Sequence, residues 1–186
     1  MKTLWIATRV LVVLTVLTGI IYPLMITGMS QVVFRRQAAG SMIEVGARTI
    51  GSRLVGQTFV SNRYFWPRPS ATRYNSMPSG GSNLGPTSLA LQDSVEARAA
   101  RLGAPVAEIP ADLLTASGSG LDPDISPEAA LFQIDRVAKA RRLSSEDQSR
   151  LQLLVRSHIK TLQFGLFGEP RVNVLELNLA LDSLLQ

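Results

Sequence analysis

The sequence predicts a mixed α+β fold, with one N-terminal transmembrane helix followed by a single extramembrane domain of helices and short strands. Three observations lead to this prediction. An uncharged apolar run lies near the N-terminus, several later segments carry apolar residues at helical spacing, and short segments near both ends of the domain alternate as strands do. The 186 residues leave room for one domain besides an anchor. We therefore expect a tail at 1–9, a transmembrane helix at 10–33 and an extramembrane domain at 34–186.

The run at 10–33 contains no charged residue. At about 1.5 Å per residue, an α-helix of this length spans roughly 36 Å, enough for a hydrocarbon core of about 30 Å. A cleavable signal peptide would have a shorter apolar core and a small-x-small cleavage site. Gln37 puts a bulky polar residue where that site needs a small one, so we predict an uncleaved span.

Small and hydroxylated residues share one stripe of this predicted helix, namely Thr8, Thr15, Thr18, Gly19 and Tyr22. Such a stripe permits close approach of a second helix and hydrogen bonds between helices in lipid. Thr15, Gly19 and Tyr22 are therefore candidate contacts with partner helices. Thr and Gly are common in membrane spans in any case, and that alternative stays open. Pro23 is expected to kink the helix because it lacks a backbone donor.

Charges that flank the span do not settle its orientation. Lys2 and Arg9 lie before its uncharged core, and Arg35 and Arg36 follow it. The positive-inside rule leans weakly toward a cytoplasmic C-terminal domain, but large domains translocate largely regardless of flanking charge. The sequence leaves the side of the membrane open.

Composition excludes some classes of function. The chain has no cysteine, so it forms no disulfide and no Cys-based metal site. Its net charge is +5, with Lys and Arg scattered rather than interleaved with aromatic residues. This pattern favours a basic surface near anionic membrane lipid over a nucleic-acid-binding domain.

The domain is predicted to begin with a β-hairpin and an irregular segment. Short strands are expected at 41–44 and 49–55, around a turn at Val45 and Gly46. A stretch rich in Pro, Ser, Gly and Asn at 64–87 then predicts irregular structure. Its aromatic residues argue for order, because disordered segments contain few of them.

This irregular segment is also the candidate docking surface of the domain. Tyr64, Phe65 and Arg68 lie in it, and aromatic and Arg residues are the usual anchors of protein interfaces. Packing within the domain would explain the same residues equally well, so both interpretations stay open.

Helical periodicity dominates the remainder. Helices are predicted at 88–102, from the N-cap Ser126 onward, and after a capping box formed by Ser144 and Asp147. The second has Arg141 and Arg142 at its C-terminal end, which suits the helix dipole. The segment 172–185 predicts a short strand followed by a helix. The apolar faces of the three helices comprise Leu91, Val95, Ala99 and Leu102; Ala130, Leu131, Ile134, Val137 and Ala138; and Leu151, Leu154, Val155, Ile159 and Leu162.

Two loops rich in Gly and Ser, at 79–86 and 115–123, could aim backbone N–H groups at an anion. Neither carries the Lys and Ser/Thr ending of a P-loop, and neither stands as a GxGxxG between a strand and a helix. We favour structural turns or a protein contact over direct nucleotide binding. A small-anion-binding module is one alternative function.

Catalytic and metal-binding patterns are weak. His158 is the single histidine and lies on a core-facing stripe, and no GxSxG is present. We therefore predict no catalytic residue, although a membrane-anchored hydrolase that uses a loop serine with His158 remains an alternative. Asp112, Asp122, Asp124 and Glu128 match no EF-hand spacing, so we predict no metal site.

Several blocks of sequence follow one another along the chain. They are YPL at 22–24, GQTF at 56–59, YFWPRPSAT at 64–72 with Tyr74 and Asn75, SGGSNL at 79–84, TASGSGLDPDIS at 115–126 with the positions that follow it to 141, and GEPRVNVLELNLALD at 168–182. Together these blocks resemble the C subunit family of the bacterial Kdp potassium-transporting ATPase, and the resemblance covers nearly the whole chain.

This resemblance implies a non-catalytic accessory subunit of an ATP-driven potassium import complex. The implied partners are a channel-like potassium subunit, a P-type ATPase subunit and a small peptide subunit, which handle potassium and ATP between them. The chain itself has no DKTG phosphorylation motif and no TVGYG-type filter, and we expect it to bind no cofactor directly. The family's C subunit is regarded as an assembly factor that raises ATP affinity of the pump subunit. The resemblance also implies a single pass through the inner membrane, with a cytoplasmic N-terminus and a periplasmic domain.

Overall fold

The computed structural model describes residues 1–184 and has the mixed helix-and-sheet class that the sequence predicts. The chain forms two compact units, of which the first is Met1–Ser52 and the second begins at Arg53.

A long N-terminal helix dominates the first unit. It consists of α1 (Lys2–Val16), a π-helical turn (Leu17–Ile21) and α2 (Tyr22–Val33). Within the described residues it is the one helix long and apolar enough to cross a membrane, with a mean hydropathy of 2.3. It ends where the uncharged run ends, but residues 2–9, expected as a tail, are helical as well.

The π-helical turn ends at Ile21, two residues before Pro23. A proline ring clashes with the carbonyl four residues earlier, which here belongs to Gly19, and proline offers no N–H to the helix. An i→i+5 turn inserts an extra residue and relieves that conflict. The kink expected at Pro23 stays a prediction; what the structure has near this residue is a π-helical turn.

A short helix, α3 (Arg35–Ala38), leads from the long helix to the predicted hairpin of β1 (Met42–Val45) and β2 (Arg48–Ser52). The strands are antiparallel, and Gly46 turns the chain with a φ of +64°. The second strand ends at Ser52, three residues earlier than predicted. The hairpin itself is confirmed.

Residues 53–88 contain neither helix nor strand, as predicted for most of this stretch. The elements that follow are α4 (Leu89–Leu102), a 3₁₀ turn (Val106–Glu108), α5 (Ala111–Leu114), β3 (Asp124–Ile125), α6 (Pro127–Phe132), α7 (Ile134–Arg141), α8 (Ser145–Ser157), β4 (Ile159–Lys160), β5 (Arg171–Asn173) and α9 (Val174–Leu184). The predicted C-terminal strand and helix are confirmed; Leu185 lies outside the described residues.

The small sheet has the order β3-β5-β4, with β5 antiparallel to both neighbours. Ile125 and Ile159 both pair with Val172, which is fully buried. Helices α6 and α9 pack against β5, and α8 packs against α6, α7 and α9. Core side chains come from the helices, from strands β3 and β5 and from the irregular segment; they include Phe65, Leu113, Leu114, Ile125, Ile134, Val137, Leu151, Val155, Val172, Leu177 and Leu181.

Both predicted helix caps are confirmed. The Ser126 hydroxyl accepts a hydrogen bond from the Ala129 N–H at 3.0 Å, and the Ser144 hydroxyl accepts one from the Asp147 N–H at 3.1 Å. Each cap satisfies an N–H that the first helical turn leaves without a partner.

Two helix predictions need correction. The helix that starts after Ser126 is divided at Gln133, whose N–H bonds to the carbonyl three residues earlier and tightens the last turn of α6. The next helix, α8, ends at Ser157, because Ile159 pairs with β5 as a strand residue. Ile159 and Leu162 therefore do not belong to the helical face that their spacing predicts.

Candidate partner-docking surface

Two buried carboxamides hold the irregular segment to the helices. Asn178 on α9 accepts from the Phe65 N–H at 2.8 Å and donates to the Phe65 carbonyl at 3.0 Å. Gln133 makes the same pair of hydrogen bonds with Trp66: it accepts from the Trp66 N–H at 2.8 Å and donates to the Trp66 carbonyl at 3.0 Å. The two amides are 2% and 1% exposed. This stretch of backbone has no neighbouring strand to pair with. The two side-chain amides supply the missing hydrogen bonds, so the buried backbone N–H and carbonyl groups of Phe65 and Trp66 remain paired.

Two arginines bind the preceding carbonyls. Arg136 donates to the Asn62 carbonyl at 2.9 Å and to the Tyr64 carbonyl at 3.1 Å, while Arg141 donates to the Arg63 carbonyl at 2.8 Å. Every carbonyl from residue 62 to residue 66 thus accepts a hydrogen bond from a side chain of the helical part of the domain. We call residues 61–66 the clamped segment.

The candidate residues of this segment occupy different environments. Phe65 is fully buried, so it contributes to the core. Tyr64 is half-buried and donates to the Asp182 carboxylate at 3.0 Å; that hydrogen bond, with burial, raises the pKa of Tyr64. Arg68 is half-buried and pairs with Asp122 at 3.1 Å. A contact between partners and these residues stays a prediction.

Trp66 lies between two guanidinium groups. The Cζ atoms of Arg136 and Arg101 are 3.8 Å and 4.1 Å from its ring centre, and its Nε1–H donates to the Ser61 carbonyl at 3.0 Å. Such cation–π contacts strengthen when they are shielded from water. Burial, and secondarily the Arg101 charge, lowers the pKa of Arg136 to about 10.

A cavity of about 370 Å³ opens beside Trp66. Its apolar lining includes Phe59, Pro67, Pro69, Leu102 and Leu113. Arg73, Arg98 and Arg101 also line it, and no carboxylate is found among its lining residues within the described part of the chain. We call it the arginine cavity. The sequence predictions missed it, because its two walls come from residues 58–74 and from α4 and α5.

The two Gly/Ser loops pack against each other. A Cβ added to Gly120, which has a φ of +70°, would lie 2.7 Å from the Gly80 carbonyl oxygen. Ser70 donates to the Gly120 carbonyl at 2.7 Å, and the Ser117 N–H donates to the Pro69 carbonyl at 2.9 Å. Glycine is needed where the two backbones approach this closely, because a side chain would not fit between them.

The acidic residues considered for a metal site are engaged separately. Asp112 accepts from the Ser126 N–H at 2.7 Å, Asp122 pairs with Arg68, and Asp124 pairs with Arg171 at 3.1 Å. Across residues 1–184 no cluster of three or more potential metal ligands forms.

His158 caps the C-terminus of α8 and is half-buried. Its Nδ1 lies 2.9 Å from the Leu154 carbonyl and 3.3 Å from the Ser157 hydroxyl, which itself donates to Leu154 at 2.8 Å. A carbonyl only accepts, so Nδ1 carries the proton and is unable to act as a base toward Ser157.

An exposed apolar loop, residues 162–167, was not predicted as a functional feature. Phe164, Leu166 and Phe167 are 93%, 78% and 64% exposed, and the Gln163 and Phe167 backbones pair across the turn. Apolar side chains grouped in this way mark contact sites. The signal in the sequence is the run Phe-Gly-Leu-Phe, too short to form a core element.

Within the long helix, the hydroxyls of Thr8 and Thr18 bond to the carbonyls of Leu4 and Leu14 at 2.9 Å and 2.7 Å. Thr15, Gly19 and Tyr22 are exposed, and nothing lies within 4 Å of a Cβ built on Gly19. The π-helical turn contains Gly19, so the residues after it are rotated relative to the regular helix on which the predicted stripe rests.

Comparison with known proteins identifies the family. The profile described as K+-transporting ATPase, c chain (KdpC), matches residues 4–183. The chain belongs to the KdpC family. Similar KdpC proteins, each described as a potassium-transporting ATPase KdpC subunit, occur in Methylobacterium nodulans and in Rhodopseudomonas palustris strain BisB18. The first is 54% identical, over 93% of this chain and 92% of the relative. The second is 53% identical, over 93% and 94%.

KdpC relatives match almost end to end. A third, from Burkholderia vietnamiensis, is 53% identical over 92% of this chain and 91% of its own. The family match over residues 4–183 includes most of the N-terminal helix, the clamped segment and nearly all of α9.

Proposed function

We propose that this chain is a non-catalytic accessory subunit of an ATP-driven potassium import complex. It supports assembly of the complex and raises the affinity of the P-type ATPase subunit for ATP. The observation that carries this proposal is the family match over residues 4–183, since a relative matched over 92% of its own length carries the subunit name. The exposed apolar loop and the apolar N-terminal helix support it, because both offer surface to larger partners.

Affinity purification tests the partnership. We expect the tagged full chain, purified from gently solubilised membranes, to bring along a channel-like potassium subunit, a P-type ATPase subunit and a small peptide. The proposal would be overturned if the chain were recovered without partners, either as a soluble protein after N-terminal processing or as an enzyme that turns over a substrate by itself.

We place the N-terminus in the cytoplasm and the domain in the periplasm, with the long helix spanning the inner membrane. The chain has no cysteine, so single exposed positions can be labelled selectively. We expect an impermeant maleimide to label Gln152→Cys in intact cells and Thr3→Cys after permeabilisation. The reverse pattern would put the domain in the cytoplasm.

A periplasmic domain has no access to cytoplasmic ATP. Any effect on ATP affinity is then a coupling free energy transmitted through partner subunits, typically about 1–3 kcal/mol. The packing of the Gly/Ser loops against each other supports this indirect route. Azido-ATP photolabelling tests it: saturable, competable labelling of this chain would mean direct binding.

The hydrolase alternative requires a loop serine within reach of His158 Nε2, whereas the hydrogen bonds that the His158 ring makes in the described residues run from Nδ1 to Leu154 and Ser157. We expect His158→Ala to retain complex activity, and the chain to show no activity toward generic esters. Loss of an esterase activity in this variant would restore the alternative.

A further inference from the structure

The arginine cavity combines an apolar floor with uncompensated positive charge. Arg73, Arg98 and Arg101 line it, and none of the three takes part in an ion pair within residues 1–184. Arg98 donates to the Leu114 carbonyl, and Arg101 stacks on Trp66. Neither contact neutralises a guanidinium, so the cavity concentrates positive charge beside apolar surface.

Burial of Arg98 has a cost that an anion would offset, whereas Arg73 and Arg101 are exposed. Desolvation lowers the pKa of Arg98, which means that its environment disfavours the charged form. The nearby Tyr74 is half-buried, and burial raises its pKa to about 12, so it stays neutral. An occupant with a carboxylate would offset that cost at Arg98 and would provide an ion-pair partner for the exposed Arg73 and Arg101.

The backbone at the cavity supports a binding role. Arg73 and Tyr74 are consecutive residues with positive φ, +55° and +61°, a conformation that side chains rarely adopt. Tyr74 is held in place by the hydrogen bond from its hydroxyl to the Arg68 carbonyl. Strained pairs of this kind persist where surrounding contacts hold them and are concentrated at binding sites. Here the strain places Arg73 at the cavity.

We propose that the arginine cavity binds an acidic segment of a partner subunit, with an apolar or aromatic side chain on the floor and a carboxylate among Arg73, Arg98 and Arg101. This rests on the proposed function as a subunit. Arginine forks match carboxylates in a bidentate way, which fits this assignment.

Other anionic occupants fit less well. At about 370 Å³ the cavity is near the lower limit for ligand sites, enough for a large side chain and a carboxylate but not for the chains of a lipid. Nucleotide phosphates are commonly held by backbone N–H groups of glycine-rich loops in addition to cationic side chains. None of the glycines of the Gly/Ser loops lines this cavity.

Site-specific photocrosslinking within the assembled complex tests the proposal. Val60 lines the cavity and is 70% exposed, so p-benzoylphenylalanine can replace it. Leu153 on α8 is 67% exposed and does not line the cavity, which makes it the matched control. We expect position 60 to crosslink to a partner peptide that contains Asp, Glu or a C-terminal carboxylate, and position 153 to give no such product.

Charge reversal provides the second arm. Arg73→Glu with Arg101→Glu should reduce the crosslink at least tenfold, and Arg→Lys replacements should preserve most of it. Replacement of the acidic residues in the captured peptide by basic ones should restore its crosslinking to the variant that carries Arg73→Glu and Arg101→Glu.

The outcomes separate this inference from the proposed function. If partners co-purify but position 60 captures none of them, or captures lipid or nucleotide, the cavity assignment is wrong while the subunit function stands. If no partner co-purifies at all, the proposed function itself fails.

Discussion

At the scale of single residues, buried amides and arginines replace secondary structure. Asn178 and Gln133 each bind both polar groups of one residue in the clamped segment, and Arg136 and Arg141 bind the carbonyls before them. Their positions in the sequence show why these hydrogen bonds were not predicted. Gln133 and Asn178 lie among apolar helix residues, and nothing in a local pattern identifies a partner more than 60 residues away.

Asn178→Leu should destabilise the domain, because it leaves the Phe65 N–H and carbonyl buried without partners. Each orphaned group costs about 1–3 kcal/mol, so the free energy of unfolding should fall by roughly 2–5 kcal/mol, allowing for partial relaxation. Denaturant unfolding of the full chain in detergent measures it. Gln152→Leu, at an exposed site on α8, is the control; equal effects of the two changes would contradict the role of Asn178.

Tyr74 should make the domain lose stability in strong alkali. Its pKa is about 12 in the folded chain and about 10 when unfolded. A raised pKa means that the contribution is fully present below pH 10 and is lost as the pH rises toward 12. Tyr74→Phe should therefore flatten the decline between pH 10 and 12. Parallel stability curves for the two proteins over this range would show that Tyr74 is not responsible.

At the scale of elements, the helices and the small sheet supply most of the core, and the irregular segment adds Phe65 to it. The capped helices and the hairpin follow from local sequence, since their signals lie within a few residues. The ends of α6 and α8 do not, because Gln133 and Ile159 are used by distant partners, Trp66 and Val172.

Gly120→Ala should be destabilising, because its φ is +70° and the new Cβ would meet the Gly80 carbonyl at 2.7 Å. Strain of this type costs about 1–3 kcal/mol. Gly118→Ala is the control within the same loop, with open space around its Cβ and no positive φ. Thermal unfolding should separate the two variants; similar melting temperatures would mean that the loops are not held in close contact.

The apolar loop should contribute to association rather than to stability. Phe164→Ser with Leu166→Ser removes exposed apolar surface, so we expect reduced recovery of partner subunits and an unchanged unfolding midpoint. Leu153→Ser, which removes a 67% exposed leucine from α8, should leave recovery unchanged. Full recovery with the double variant would exclude the loop as a contact.

At the scale of the whole molecule, the two units differ in composition. The apolar helix of the first unit has the composition of a membrane span, whereas the second unit has its own core and presents the clamped segment, the arginine cavity and the apolar loop. If the chain associates with partners through more than one surface, a single substitution should reduce association only in part, because the remaining linked contacts still hold the partners together.

Gly19→Leu should weaken association in the membrane by blocking close helix approach at the π-helical turn. Gly28→Leu makes the same change in the same helix, also with open space around the Cβ, and should be tolerated. Co-purification after gentle solubilisation gives the comparison. Equal recovery with both variants would remove Gly19 from the candidate contacts.

Length, hydropathy and local capping patterns were enough to determine the fold class, the apolar N-terminal helix and the positions of most elements. Those features depend on interactions between near neighbours. Only the tertiary structure decided that Phe65 lies in the core, that distant side chains hold residues 62–66, and that Arg73, Arg98 and Arg101 meet at one cavity. The physical reason is that buried polar groups must find partners wherever the chain supplies them, and in this domain those partners are far away in the sequence.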